Sequence, residues 1–138
     1  MGEIVVEIEL ENREDRYDAR RGRIDEQSVR RETIRAVADT GAVMLALPAD
    51  LVERLGVPVV DTISTTYADG RQGQLPVTDT LTIRIGNRRM GTECIVVPEG
   101  AEALVGQLVM ERLDLIADCT NQTLSPRPES PDRPLLRV

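Results

Sequence analysis

The chain has 138 residues and a net charge of −7, and its core must be built from Val, Leu, Ile and Ala because Phe and Trp are absent. Histidine and lysine are also absent, which excludes Ser-His-Asp and Cys-His pairs, Ser-Lys dyads, Schiff bases and a P-loop lysine. With these residue types missing, carboxylates are the leading candidates for any chemistry. The negative charge argues against nucleic acid as a partner. No apolar run reaches the roughly 20 residues of a membrane span, and the length fits one globular domain.

The N-terminal segment alternates apolar and acidic residues with a period of two. This pattern predicts a half-buried strand from Glu3 to Glu11. The polar segment from Asn12 to Ser28 contains Gly22 and is expected to be a long connection with room for a turn of helix. Between Glu11 and Arg35, eight arginines accompany seven acidic residues. The near balance predicts a solvated, salt-bridged surface, because aromatic residues that would stack on bases are lacking.

The next strand leads into a single acidic residue within an apolar stretch. Residues 29–38 have a strand pattern and run directly into Asp39, which lies in the sequence "AVADTGAVMLALP". The segment that follows, Pro48 to Gly56, is expected to form a short helix. Proline suits its first turn, Leu51, Val52 and Leu55 give it an apolar face, and Gly56 occupies the position of a C-terminal cap.

The second half of the chain is expected to be mostly strands joined by tight turns. Asp69-Gly70 predicts a hairpin turn after a β-prone segment, and Gly86-Asn87 predicts another. The tail from Ser125 holds four of the eight prolines and should be extended, exposed for part of its length and unable to pair as a central strand. The remaining predicted elements are strands at 57–66, 81–85, 93–98 and 114–119 and a helix at 107–112.

The order of these motifs resembles the retropepsin-like family of aspartic peptidases, in its single-domain bacterial form (clan AA). A strand is followed by "ADTGA", "LP" and a helix ending in "LG", then by a hairpin with "YADG" near its tip, and finally by "ALVGQLVMERLDL" and "IADCTNQTL". The likeness extends roughly from Glu3 to Leu124. It implies a mainly β, small closed β-barrel-like retropepsin (acid protease) fold with one or two short helices. The peptidase domain would occupy residues 1–124 and a Pro-rich tail residues 125–138.

The resemblance also implies roles for particular residues. Asp39 would be the catalytic carboxylate, Thr40 would brace the loop across a subunit boundary, and Gly41 would offer its N–H to the carboxylate. Leu104-Val105-Gly106 would pack beneath that loop. The hairpin around residues 67–74 would be a flap over bound peptide, and the residues expected to contact substrate are Ala42, Tyr67, Ala68, Asp69 and Gly70.

One chain supplies only one Asp-Thr-Gly, so the family's two-carboxylate site requires a homodimer. Two carboxylates held about 3 Å apart share one proton, which makes one a base and the other an acid. The implied function is an aspartic endopeptidase that hydrolyses peptide bonds of a polypeptide substrate. No cofactor and no metal is expected, since two cysteines without histidine are too few for a zinc site. Ala42 has no hydroxyl to hydrogen-bond an ionised carboxylate, so activity is expected at mildly acidic to neutral pH.

Several alternatives remain open from the sequence. Asp39 could be a turn carboxylate, Asp69-Gly70 only a hairpin turn and Tyr67 only a packing residue. The whole chain could be a catalytically inactive dimeric β module that binds peptides or a partner protein. Cys94 and Cys119 are expected to be free and buried in a cytoplasmic protein, although an oxidising compartment would allow them to pair. The N-terminus does not resemble a signal peptide, which favours the cytoplasm.

Overall fold

Eleven strands and three short helices make up residues 3–137, the part of the chain that the computed structural model describes. The helices are α1 (Arg13–Arg20), α2 (Ala49–Leu55) and α3 (Gln107–Leu113), and a 3₁₀ turn covers Glu26–Ser28. The strands are β1 (Ile4–Glu11), β2 (Arg31–Ala38), β3 (Leu45–Pro48), β4 (Val59–Thr66), β5 (Gln72–Thr78), β6 (Leu81–Ile85), β7 (Arg88–Thr92), β8 (Cys94–Val97), β9 (Leu104–Val105), β10 (Leu115–Asp118) and β11 (Thr123–Pro126).

Nine strands form one mixed sheet in the order β4-β5-β8-β3-β9-β2-β1-β6-β7, and β10 and β11 form a separate ribbon. The sheet is curled into a half-barrel, which confirms the mainly β, retropepsin-like fold class predicted from the sequence. Strand β2 lies in the interior of the sheet, antiparallel to β1 and parallel to β9. Its C-terminal end is therefore held on both sides at the point where Asp39 begins.

The core is aliphatic and follows the strand alternation. In β1, Ile8 and Leu10 are completely buried while Glu7 is exposed, as the period of two predicts. The same alternation buries Leu81, Ile83 and Ile85 of β6, the strand next to β1. Both predicted helices pack on this core with their apolar faces, which carry Leu51, Val52 and Leu55 in α2 and Val109, Met110 and Leu113 in α3.

Helix α1 lies in the connection from Asn12 to Ser28, where no more than a turn of helix was expected, and it brings the number of helices in residues 3–137 to three. It contacts the rest of the fold through polar groups. The Asn12 side chain caps its first turn by accepting the Asp15 N–H at 2.9 Å, and it donates to the Leu55 carbonyl at 2.7 Å. The Asp15 carboxylate in turn accepts from the backbone and the guanidinium of Arg30. Because the buried face is polar, α1 lacks the apolar periodicity that identifies a helix.

The C-terminal tail is fixed by two arginines. Pro126 pairs with Leu115 in the β10–β11 ribbon, so the first residues of the tail form an edge strand. Arg88 is 3% exposed and donates to the carbonyls of Leu113, Asp114 and Ser130. The second arginine, Arg127, directly follows Pro126, and its guanidinium contacts the Asp114 carboxylate. The tail is therefore extended only as far as Pro126, and the prediction that all of it is extended is wrong, because residues 127–133 form a turn and bends that bring Arg127 and the Leu135 N–H to the same Asp114 carboxylate at the C-terminal end of α3.

Both cysteines are free thiols, with Cys94 buried in the core and Cys119 exposed in the β10–β11 turn. The prediction that both are buried is thus correct for Cys94 alone. Burial raises the pKa of the Cys94 thiol to about 11, so this thiol stays protonated at neutral pH. Within residues 3–137, no helix has both the length and the apolar composition needed to cross a membrane.

Candidate active site

The Asp39 loop, residues 39–44, leaves the end of β2 and is anchored to β9. The Val37 N–H donates to the Ala103 carbonyl and the Asp39 N–H donates to the Val105 carbonyl, both at 2.9 Å. These bonds continue the parallel pairing of β2 with β9 by one residue beyond the strand. The backbone of Asp39 is therefore as firmly placed as that of a strand residue, although it belongs to a loop.

The Asp39 carboxylate is half-buried and is oriented by its own loop. The Gly41 N–H donates to its Oδ1 at 2.8 Å, and the Ala42 N–H donates to the Asp39 carbonyl at 3.1 Å. A Cβ on Gly41 would lie 3.2 Å from Oδ1, so a glycine here lets the amide approach the carboxylate. Thr40 and Gly41 are exposed. Asp39 is thus partly exposed on a hydrogen-bonded turn, with one carboxylate oxygen held by a backbone amide.

Helix α3 supports this loop from beneath. The Gln107 N–H donates to the Ala42 carbonyl at 2.7 Å and the Leu108 N–H donates to the Val43 carbonyl at 3.0 Å. These donors belong to the first turn of α3, whose amides have no partner within the helix. A Cβ on Gly106 would lie 2.6 Å from the carbonyl oxygen of Met44. Only glycine permits so close an approach, so the loop and the helix form one packed unit.

The β4–β5 hairpin ends in a compact tip of residues 67–71. The Tyr67 N–H donates to the Arg71 carbonyl at 2.8 Å, and Gly70 adopts a left-handed conformation with φ of 86°. Asp69 binds Arg71, whose guanidinium lies 5.5 Å from the centre of the Tyr67 ring. The same ring packs against Gly73, where an added Cβ would lie 2.8 Å from a ring carbon. The predicted turn at Asp69-Gly70 is present, and the tip is structured by its own side chains.

The predicted site residues thus fall into two groups. Asp39, Thr40, Gly41 and Ala42 share one loop, whereas Tyr67, Ala68, Asp69 and Gly70 share the hairpin tip, and no hydrogen bond within residues 3–137 joins the two groups. The geometry adds two apolar residues that sequence reasoning did not single out. Val43 is 63% exposed and Leu108 is 51% exposed, and they are adjacent through the Leu108 N–H bond to the Val43 carbonyl. Leu108 could have been found by its position on the outer face of a predicted helix.

The comparisons with known proteins give one family match. The family model described as "gag-polyprotein putative aspartyl protease" matches residues 22–112. The matched span contains the Asp39 loop, the β4–β5 hairpin and most of α3. A search of curated proteins found no match to this chain.

Proposed function

This chain belongs to the gag-polyprotein aspartyl protease family, and from that premise we propose that it is a homodimeric aspartic endopeptidase. The observation that carries the proposal is the Asp39 carboxylate, held by the Gly41 N–H on a loop braced by β9 and α3. A carboxylate that served only to cap a turn would not need a support of this kind. We assign Asp39 as the catalytic group, with Gly41 orienting it.

The chemistry needs a second carboxylate, and the partner subunit of a homodimer is its proposed source. The sequence contains one Asp-Thr-Gly, and among the described residues the only hydrogen-bond partner of the Asp39 carboxylate is the Gly41 amide. A two-fold axis beside the loop would bring two copies of Asp39 together without a second motif. The apolar pair Val43 and Leu108 and the exposed Thr40 lie around this point and fit a surface that dimerisation covers.

In the proposed reaction, the ionised Asp39 takes a proton from water as the water oxygen attacks the peptide carbonyl carbon. The protonated Asp39 of the partner subunit donates its proton to the carbonyl oxygen, which gives a neutral tetrahedral intermediate. When this intermediate collapses, the ionised carboxylate of the partner subunit takes the proton of one hydroxyl as the carbonyl re-forms and the C–N bond breaks, and the protonated Asp39 gives its proton to the departing amine. Both carboxylates return to a state in which they share one proton, so no cofactor is consumed.

The β4–β5 hairpin is proposed as the flap. Its tip would close over an extended polypeptide that lies as an added strand between the hairpin and the Asp39 loop. Ala68, Asp69 and Gly70 present backbone groups at the tip, and Tyr67 would be held by Arg71 until substrate enters. Ala42 would contact the substrate from the floor.

The tail is proposed to contribute to the dimer. Residues 1–124 would form the peptidase domain, and residues 125–138 would reach the subunit boundary. Leu135 and Leu136 are 58% and 46% exposed at the end of a tail whose start is fixed to α3. Two exposed leucines on a fixed segment fit a surface that another subunit covers.

The decisive experiment compares wild type with Asp39→Asn on an unfolded protein substrate from about pH 3 to about pH 8. We expect the variant to lose about a thousandfold or more in rate, because asparagine cannot take the proton from water. Asp25→Asn is the matched control, since Asp25 is exposed and its side chain makes no capping hydrogen bond. Activity should peak at mildly acidic to neutral pH.

Equal cleavage by wild type and Asp39→Asn would contradict the proposal. A wild-type protein that dimerises and binds peptides without cleaving them would instead support the inactive β module. An optimum at the acid end of the range would contradict the expectation based on Ala42.

A further inference from the structure

A groove of about 600 Å³ lies between α1, α3 and the strands β1, β6 and β7. None of the residues that line it belongs to the Asp39 loop or to the hairpin tip. Two glutamates, Glu9 and Glu11, contribute negative charge, and Thr80 and Thr82 contribute hydroxyls. Six arginines line what we call the arginine groove: Arg13, Arg16, Arg20, Arg84, Arg89 and Arg112. Such a concentration of positive charge is unexpected in a chain whose net charge is −7.

Five of the six groove arginines lack an acidic partner among residues 3–137, whereas six of the eleven arginines outside the groove have one. Among residues 3–137, seven arginines form ion pairs, and Arg16 is the one of these seven that lines the groove. Its guanidinium binds Glu11 and Glu26, so Glu11 is already neutralised. The other five guanidiniums have no carboxylate oxygen within 4.0 Å among residues 3–137. The groove therefore holds a surplus of positive charge.

The strand register places two of the unpaired arginines directly opposite each other. Arg84 of β6 faces Arg89 of β7 in the antiparallel pair, and Glu9 of β1 faces Arg84 from the other side. Like charges at directly opposed positions destabilise a sheet. In the described part of the chain, Glu9 is the one acidic residue in register with the pair of Arg84 and Arg89. The positive charge of this pair is therefore not balanced, which favours binding of an additional anion.

Tyr17, the aromatic residue that lines the groove, already contacts arginine side chains. The guanidinium of Arg13 lies 5.4 Å from the centre of the Tyr17 ring and its Nε donates to the Tyr17 hydroxyl, while Arg20 and Arg21 lie 6.0 and 5.7 Å from the same centre. Cation–π contacts of this kind fix the arginines around the ring. The ring is thus not a free platform for a nucleobase, and the free donors of the groove suit a ligand whose affinity comes from its charge.

We propose that the arginine groove binds a phosphate chain, either free or as the phosphate tail of a nucleotide. Guanidinium forks match phosphate oxygens in paired hydrogen bonds. A phosphate chain places several charges at adjacent positions, which suits five unpaired guanidiniums around one small groove. An extended acidic peptide would bring carboxylates to the same face only at every second residue, roughly 6.6 Å apart, and would leave most of the arginines unpaired. This site is independent of the proposed peptidase activity.

The test is calorimetric titration of the full chain with tripolyphosphate at constant ionic strength. We expect saturable binding that weakens about tenfold or more in the double variant Arg84→Gln/Arg89→Gln. The matched control is Arg35→Gln/Arg133→Gln, which removes the same charge from two exposed positions outside the groove and should bind as wild type does. Without ligand, the groove variant should unfold at the same or a higher temperature than wild type, because two opposed like charges are removed.

Further titrations identify the source of the phosphate. ATP that binds no more tightly than tripolyphosphate indicates a free phosphate chain, and ATP that binds at least about tenfold more tightly indicates a nucleotide; either result supports the site. Absence of saturable tripolyphosphate binding would overturn the proposal, as would equal weakening in both double variants. Tight binding of hexaglutamate without binding of tripolyphosphate would overturn it in favour of an acidic peptide. A groove variant that unfolds well below wild type would show that these arginines serve the fold and not a ligand.

Discussion

Asp114 ends α3 in the left-handed conformation, with φ of 58°, and its carboxylate accepts a hydrogen bond from the Leu135 N–H at 2.9 Å. The Arg127 guanidinium contacts the same carboxylate and holds the pKa of Asp114 well below its ordinary 3.8. One side chain therefore connects the end of a helix to two separate points of the tail. The ionised form of this carboxylate is the one that the folded chain stabilises.

The lowered pKa of Asp114 determines how its contribution to folding stability changes with pH. The stabilisation is complete above the ordinary pKa of 3.8 and is lost as the pH falls below it, because the unfolded chain then binds the proton more readily. We predict that Asp114→Asn lowers the urea midpoint at pH 7 and that its difference from wild type narrows toward about pH 3. Asparagine tolerates the left-handed conformation, so the backbone is not the cause. A difference that stays constant between the two pH values, while the Asp25→Asn control remains at the wild-type midpoint, would contradict this assignment.

Some features of single residues could be predicted from the sequence and others could not. The position of Asp39 at the end of a strand, the cap at Gly56 and the turn at Asp69-Gly70 were predictable because each follows from a local sequence pattern. Arg88 was not, because its partners are backbone carbonyls more than 20 positions away along the chain. Nothing in the local sequence separates a buried arginine that binds carbonyls from an exposed one.

At the scale of elements, the interface of α3 with the Asp39 loop depends on Gly106. We predict that Gly106→Ala destabilises the fold by about 3 kcal/mol and removes proteolytic activity, because the new Cβ would overlap the backbone of Val43 and Met44. Gly91→Ala is the matched control, since the nearest atom to its Cβ would be the Thr80 methyl at 3.1 Å, the end of a side chain that can move. Urea unfolding and a cleavage assay measure the two effects. Equal stability of the two variants would show that the loop and the helix can separate without cost.

Neither the full length of helix α1 nor the arginine groove could be predicted from the sequence, because both depend on contacts between elements. Asn12, Asp15 and Arg16 attach helix α1 to the rest of the fold through polar contacts, so the predicted salt-bridged surface is present. For the same reason the helix has no apolar pattern by which it could be recognised. Arg13, Arg16 and Arg20 recur at helical spacing on one face, which becomes informative only once the helix is known. The arginine groove also requires the sheet order, which places β6 beside β1 and β7 beside β6. No local pattern encodes that order.

At the scale of the whole molecule, the proposed dimer depends on the apolar surface around Val43 and Leu108. We predict that Leu108→Glu shifts the protein to monomers and lowers activity in parallel, because a charge would be buried at the subunit boundary without a partner. Val60→Glu is the matched control, since Val60 is 56% exposed on the edge strand β4. Sedimentation velocity across a dilution series measures the oligomeric state.

Mixing provides an independent measurement of the same prediction. If each active unit needs two Asp39 carboxylates, equal amounts of wild type and Asp39→Asn should leave about a quarter of the dimers active after random exchange of subunits. Retention of half the activity would mean that each chain works alone. A Leu108→Glu variant that remains dimeric would place the subunit boundary elsewhere on the surface.

The pairing of Asp39 with Val105 has a consequence for the order in which the protein matures during synthesis. Strands β1 and β2 are neighbours in sequence and can pair as soon as residue 38 has left the ribosome, because chains emerge from their N-terminus. The anchor of the Asp39 loop, in contrast, comes from β9 and the first turn of α3, which are translated long after it. A nascent chain that ends before Ala103 thus carries the Asp-Thr-Gly tripeptide on a turn that neither β9 nor α3 supports. The Asp39 loop of the proposed peptidase therefore gains its support only after β9 and the first turn of α3 have been made.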